Sequence, residues 1–149
     1  MHGSVTNGSQ INGEPPPGIR VLVVEDNRVM ADVMRFNFNR AGFSTTVALN
    51  GRIAWDLLQT EVFELLVTDL QMPEMDGDEL CRRIRSDLRL AGLPIILLTA
   101  KGMELDRDRL TRELGLSLIL YKPFSPRQLV SAAMECVARD IVTVDPALE

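Results

Sequence analysis

The chain has 149 residues, 46% of them apolar and 25% charged, with a formal net charge of -5, which fits one ordinary domain with enough apolar side chain for a full core. The acidic balance argues against nucleic-acid binding, which needs clustered Lys and Arg; no apolar run approaches the roughly 20 residues of a membrane span, and the Met1-His2-Gly3-Ser4 start lacks the basic-then-apolar order of a signal peptide. Two distant cysteines, Cys81 and Cys136, and a single histidine, His2, indicate neither a disulfide framework nor a structural zinc, so the expected setting is a reducing cytoplasm.

Residues 1–18 are rich in Gly, Asn, Ser and Pro and end in Pro15-Pro16-Pro17-Gly18; such a composition cannot bury a core and is expected to form a flexible leader. Ile19 to Val24 is a β-branched run, apolar without alternation from Val21, as in a strand covered on both faces. It stops at Glu25-Asp26. Asn27 is a candidate N-cap for a first helix, in which Val29, Met30, Val33, Met34 and Ala41 recur at helical spacing and which Gly42 closes. Phe43 to Ala48 reads as a second strand, and Asn50 caps a second helix with Ile53, Ala54, Leu57 and Leu58 on one face. Leu65 to Asp69 is a third strand, followed at once by the breaker-rich loop Leu70-Gln71-Met72-Pro73-Glu74-Met75-Asp76-Gly77.

Met72 and Met75 are expected to pack that loop, and Asp76 and Asp78 to cap a third helix marked by Leu80, Ile84 and Leu88, ending near Gly92. Arg82, Arg83, Arg85 and Lys101 read as solvated. Pro94 to Leu98 is a fourth buried strand running into Thr99-Ala100-Lys101-Gly102. A fourth helix with sparse apolar spacing (Leu110, Leu114) is expected from about Met103 to Leu114, stopping at Gly115. Leu116 to Tyr121 is a fifth strand, with Lys122-Pro123-Phe124 directly after it. Ser125-Pro126-Arg127-Gln128 combines a capping box with proline at the first helical position, and opens a fifth helix whose stripe is Leu129, Ala133, Cys136 and Val137. A domain at 19–139 is expected, with 140–149 a tail or the start of a linker and no output domain after 139, as in a stand-alone domain or a fragment.

Five strand–helix units predict an α/β fold: a doubly wound, five-stranded parallel sheet with right-handed crossovers, (βα)5 and flavodoxin-like, of strand order 2-1-3-4-5. In such sheets ligands bind at the carboxyl ends of the strands. Those ends carry Glu25 and Asp26, Asp69, Thr99 and Lys122. Three converging carboxylates repel one another unless a cation neutralises them, and Mg2+ prefers carboxylate, carbonyl and water oxygens. A lysine and a hydroxyl opposite them suit a phosphoryl group, for which a carboxylate can be the acceptor.

Four motifs in order, Val23-Val24-Glu25-Asp26-Asn27, Asp69 to Gly77, Leu98-Thr99-Ala100-Lys101-Gly102 and Lys122-Pro123-Phe124-Ser125-Pro126, make residues 20–139 resemble a response-regulator receiver domain of two-component signalling. The resemblance implies that Asp69 is the phosphoacceptor, that Asp26, Asp69 and the backbone carbonyl of Gln71 bind Mg2+, or Mn2+ in its place, and that Glu25 acts on the metal through water. It implies that Thr99, the backbone N–H of Ala100 and Lys122 hold phosphoryl oxygens, and that the Lys122-Pro123 bond is cis and turns the lysine into the site. The implied donor is a histidine kinase or histidine phosphotransfer protein. An output domain or downstream protein would read a surface of helix four, strand five and helix five, through which a homodimer is one expected assembly.

One position departs from the family. Receivers commonly carry Tyr or Phe three residues before the strand-five lysine, and here Ile119 stands there. Tyr121 has the same parity along the strand but lies about 6–7 Å further on. Two rival readings are an interaction module that works without phosphorylation and an aspartyl-phosphate phosphatase. The phosphatase would want an acid two residues after the nucleophile, where Gln71 stands. The expected role is a signalling switch rather than an enzyme, catalysing only its own phosphorylation and dephosphorylation.

Overall fold

The computed structural model describes residues 18–100 and 106–143. These form strands β1 (Arg20–Val24), β2 (Ser44–Ala48), β3 (Leu65–Asp69), β4 (Ile95–Ala100) and β5 (Leu118–Lys122), alternating with helices α1 (Arg28–Arg40), α2 (Gly51–Thr60), α3 (Gly77–Ser86), α4 (Arg107–Leu114) and α5 (Pro126–Thr143). The sheet order is β2-β1-β3-β4-β5 and every pairing is parallel, the flavodoxin-like arrangement expected from the sequence.

Strand alternation divides the core into two layers. Leu22, Val24, Leu66, Ile95, Leu97 and Ile119 face α2, α3 and α4, where Ala54, Leu58, Leu80, Ile84 and Leu114 meet them. Val21, Val23, Leu65, Val67, Ile96 and Leu98 face α1 and α5, against Met34, Phe38, Leu129, Ala133 and Val137. Each fully buried Val, Leu, Ile, Met or Phe among them contributes about 1.5–3 kcal/mol by leaving water, which is why the central strands are apolar almost to their carboxyl ends.

The helix starts follow the predicted capping chemistry. Asn27, Asn50 and Asp76 each accept from a backbone N–H three residues on. Ser125 and Gln128 exchange both bonds of the capping box, at 3.0 and 2.8 Å. Gly42 follows α1 with φ 105°, and Gly115 ends α4 at φ 60°, in the left-handed region that favours glycine.

Several details differ from expectation. The buried face of α1 is Ala31, Met34 and Phe38, and Phe38 packs edge-on against Phe43, with ring centroids 5.2 Å apart. Val29 and Val33, which belong to the apolar series expected along this helix, are exposed. Two apolar stripes share the helical period of α1, and only packing decides between them. Helix α3 ends at Ser86 because the Asp87 N–H already closes a turn onto Ile84; Leu88, expected on its apolar face, is 98% exposed.

Arg85 is half-buried rather than solvated, donating to the carbonyls of Leu114, Ala91 and Gly115 at 2.7, 2.7 and 2.9 Å. Helix α4 is capped by Asp106; its expected start at Met103, with Lys101, lies outside the described residues, as do most of the leader and the end of the tail. Helix α5 continues through Thr143, past the expected break at Asp140.

Candidate functional site

Four neighbouring strand ends assemble the site. Beyond β1, the Glu25 N–H still bonds to the Ala48 carbonyl at 3.0 Å, so its side chain is held at the rim of the sheet. Glu25 Oε2 accepts from the Asn27 N–H at 3.1 Å, which ties the carboxylate to the entrance of α1. Asp69 is the last residue of β3, and the next N–H, of Leu70, continues the ladder to the Leu98 carbonyl at 2.8 Å. Lys122 is the last residue of β5 and is register-paired with Ala100, the last of β4, while Thr99 pairs with Tyr121. Thr99 and Lys122, expected just past their strands, are therefore placed by ladder pairing within them.

The polar groups are buried far more than such groups usually are: Glu25 is 1%, Asp69 7% and Thr99 2% exposed. Asp26 is open to solvent. Glu25, Asp26 and Asp69 each present an oxygen within 4.8 Å of the others. Lys122 Nζ lies 2.8 Å from Asp69 Oδ1 and 3.4 Å from Glu25 Oε1. The Lys122-Pro123 peptide bond is cis. Gln71 and Ala100 flank the site on the loop after β3 and at the end of β4, both exposed.

Burial raises the pKa of Glu25 above the usual carboxylate range, against the pull of its hydrogen bond from Asn27. Burial likewise raises Asp69, and Lys122 only partly offsets it. Burial alone would depress the Lys122 ammonium, but the hydrogen bond and charge of Asp69, then of Glu25, outweigh it and raise its pKa. One ammonium thus faces three carboxylates. This hard-oxygen donor set with excess negative charge fits a small divalent cation.

The Thr99 hydroxyl is buried without a hydrogen-bond partner, which leaves a desolvation cost of about 1–3 kcal/mol unrecovered. An incoming anion would satisfy it. Two residues that the sequence reading did not single out help to fix the acceptor. The Thr68 hydroxyl donates to the Asp69 carbonyl at 3.0 Å. Gly77 donates its N–H to the Leu70 carbonyl at 2.7 Å, and a Cβ on it would stand 2.3 Å from the Asp69 carbonyl oxygen. Only glycine fits there; its place at the end of the loop motif was the available signal.

A doubly wound α/β domain with three carboxylates, a buried hydroxyl and a lysine on its carboxyl rim carries a charged, half-buried cluster where folds of this class place their ligands. The sequence model of the response regulator receiver domain matches residues 21–134, and the chain belongs to that family, whose members are signalling switches of two-component systems. Solved structures agree. The receiver domain of the Francisella response regulator 1452 is 28% identical, with a TM-score of 0.75 over 83% of this chain and 99% of that one. The signal receiver domain of a signal transduction histidine kinase from Syntrophus aciditrophicus is 31% identical, with a TM-score of 0.72 over 87% and 94%. The chemotaxis protein CheY4 of Vibrio cholerae, at 24% identity and a TM-score of 0.73 over 79% and 98%, shares the fold. No helix among the described residues is long and apolar enough to cross a membrane.

Proposed function

We propose that this domain, residues 19–139, is a cytoplasmic, phosphorylation-controlled switch that takes a phosphoryl group onto Asp69 from a phosphohistidine of a histidine kinase or phosphotransfer protein. The observation that carries this reading is the Lys122 ammonium 2.8 Å from the Asp69 carboxylate, beside Glu25 and Asp26. A carboxylate oxygen of Asp69 attacks phosphorus; the P–O bond forms as the P–N bond to the donor imidazole breaks, and the imidazole keeps the bonding pair. Glu25, Asp26, Asp69 and the Gln71 carbonyl would hold Mg2+, or Mn2+, which when bound supplies positive charge against the transferring group.

Lys122 exchanges its carboxylate partner for a phosphoryl oxygen, and the Thr99 hydroxyl and the Ala100 N–H donate to the other oxygens. The domain catalyses no further turnover of a small substrate. The new charge then biases a two-state surface of α4, β5 and α5, read by an output domain or downstream protein or by a second copy. Incubation with radiolabelled acetyl phosphate and Mg2+ tests this: label should enter the wild type and be lost on chelation and in Asp69→Asn. Equal labelling of that variant would overturn the assignment.

A further inference from the structure

Residues 48–51, where β2 turns into α2, touch both arms of the acid cluster. The Ala48 carbonyl accepts the Glu25 N–H at 3.0 Å and so ties down the arm that carries Glu25 and Asp26. Asn50 then caps α2, accepting from the Ile53 N–H at 2.8 Å, and Gly51 opens the helix in a set position. Gly51 is buried against the loop that leaves Asp69. A Cβ on it would stand 2.1 Å from the Met75 carbonyl oxygen and 2.9 Å from the Met75 carbonyl carbon.

The loop is pressed onto this point from its own side. Met75 is 5% exposed and packs in one layer with Ala54 and Leu58 of α2. The residue before it, Glu74, sits at φ 69°, where residues other than glycine are uncommon. At the other end of the loop, Gly77 closes on the carbonyls of Asp69 and Leu70. Two glycine contacts therefore grip the loop, and the one at Gly51 joins it to the Glu25 arm.

We propose that Gly51 is a positioning residue that fixes the spacing of the two arms and thereby selects the cation by size. This rests on the reading that Glu25, Asp26 and Asp69 hold a divalent cation. A methyl group on Gly51 meets backbone, so no side chain can turn aside to relieve it. Reaching even 3.0 Å from the Met75 oxygen takes a shift of about 0.9 Å. Either the loop gives way, or the corner moves and draws on the Ala48–Glu25 bond; both change the spacing of the arms. Mg2+ demands near-octahedral oxygens at roughly 2.0–2.1 Å, whereas Ca2+ accepts looser geometry at roughly 2.3–2.6 Å. A displacement larger than the difference between the two ions penalises Mg2+ more than Ca2+.

Calorimetric titration of the whole chain with MgCl2 and with CaCl2 tests this, read as the ratio of the two dissociation constants. Gly51→Ala should shift that ratio about tenfold toward Ca2+. Met75→Ala, which frees the loop from α2 without adding an atom, should shift it in the same direction, and it decides the matter where Gly51→Ala does not fold. Met75→Leu, which conserves the packing, should keep the wild-type ratio, as should Gly92→Ala, whose Cβ meets nothing within 4 Å.

A merely structural glycine would weaken both cations by one factor. An unchanged ratio in folded Gly51→Ala or Met75→Ala would therefore overturn the positioning role and leave the cation reading intact. Absence of binding in the wild type, or equal binding in Asp69→Asn, would remove the cation reading and the role of Gly51 together.

Discussion

Lys122 Nζ reaches Asp69 Oδ1 at 2.8 Å across an intervening strand. Their strands are second neighbours, roughly 10 Å apart at the backbone, so only a long side chain closes the gap. The contact lets one cation serve two carboxylates and spend part of its own hydration doing so. Removing either partner should act in opposite directions. Lys122→Ala leaves Glu25, Asp26 and Asp69 facing one another and should cost about 1–3 kcal/mol in metal-free buffer. Asp69→Asn relieves the burial of a charge and should raise Tm by about 4 °C. Thermal unfolding of the two variants in chelator decides it, and shifts of the same sign would contradict the balance of charges described here.

Divalent cation should reverse the ranking of Asp69→Asn and wild type. A ligand that binds only the folded state adds about 2.7 kcal/mol at a hundred times its dissociation constant. Wild type should gain that stability from millimolar Mg2+, whereas Asp69→Asn, with one carboxylate of the cluster replaced by a neutral amide, should gain far less. Unfolding curves with and without Mg2+ measure the two increments, and equal increments would place the cation elsewhere.

The same charges predict a pH dependence. Glu25 and Asp69 have folded pKa values raised above those of the free side chains. The folded form therefore holds their protons more tightly, and stability falls as pH rises from the ordinary carboxylate range through those raised values. The contribution of Lys122, whose folded pKa is also raised, is complete at neutral pH and is lost only as pH climbs through its folded value. Urea midpoints between pH 4 and 8 should drop more steeply for metal-free wild type than for the Glu25→Gln/Asp69→Asn double variant. Parallel profiles would show that the pair is not the source of the slope.

Helix α1 offers a test that separates packing from partner binding. Phe38 is fully buried, and Phe38→Ala should cost about 3–5 kcal/mol. Phe36 is 61% exposed and Val29 74%; with Val33 they form an outward apolar stripe that starts one turn from Asp26. Phe36→Ser should leave stability within about 0.5 kcal/mol. It should slow phosphotransfer from a protein donor while leaving labelling by acetyl phosphate unchanged. A loss with both donors would mean that the substitution disturbs the site itself.

Gly77→Ala forces a methyl group toward the Asp69 carbonyl at 2.3 Å, so the loop after β3 must shift. A cost of about 1–3 kcal/mol, typical of overpacking, should accompany slower labelling of Asp69. Normal labelling with normal stability would show that the loop has room to spare.

Much of this was legible before any coordinates. The strands are read because unbroken apolar runs such as Val21 to Val24 are what a sheet covered on both faces by helices requires, and that run stops at the charged pair Glu25-Asp26. The caps are read because Asn27, Asn50 and Ser125 satisfy specific backbone donors. The face of α1 is legible only in part: Met34, in the apolar series of the sequence, is buried, but Val29, Met30 and Val33 match the helical period as well as Ala31 and Phe38 do. Periodicity finds a stripe, but it does not say which stripe meets the sheet. The half-buried place of Arg85 is hidden for a related reason: its three acceptors are backbone carbonyls of Ala91, Leu114 and Gly115, and backbone carbonyls leave no mark in a sequence. The orphaned hydroxyl of Thr99 is visible only once burial is known.

The alignment of β4 with β5 works as a ruler for two separate tasks. Thr99 level with Tyr121, and Ala100 level with Lys122, send the ring and the ammonium to opposite sides of the sheet from positions one residue apart along β5. Lengthening β5 by one residue ahead of Ile119 would swing Tyr121 to the α5 side and carry the lysine about 3.3 Å along the strand. The Lys122–Asp69 contact and the packing of the Tyr121 ring would be lost together in that insertion, although point substitutions can take them apart one at a time. The spacing between these strands is therefore a stricter constraint on this domain than the identity of any one side chain that they carry.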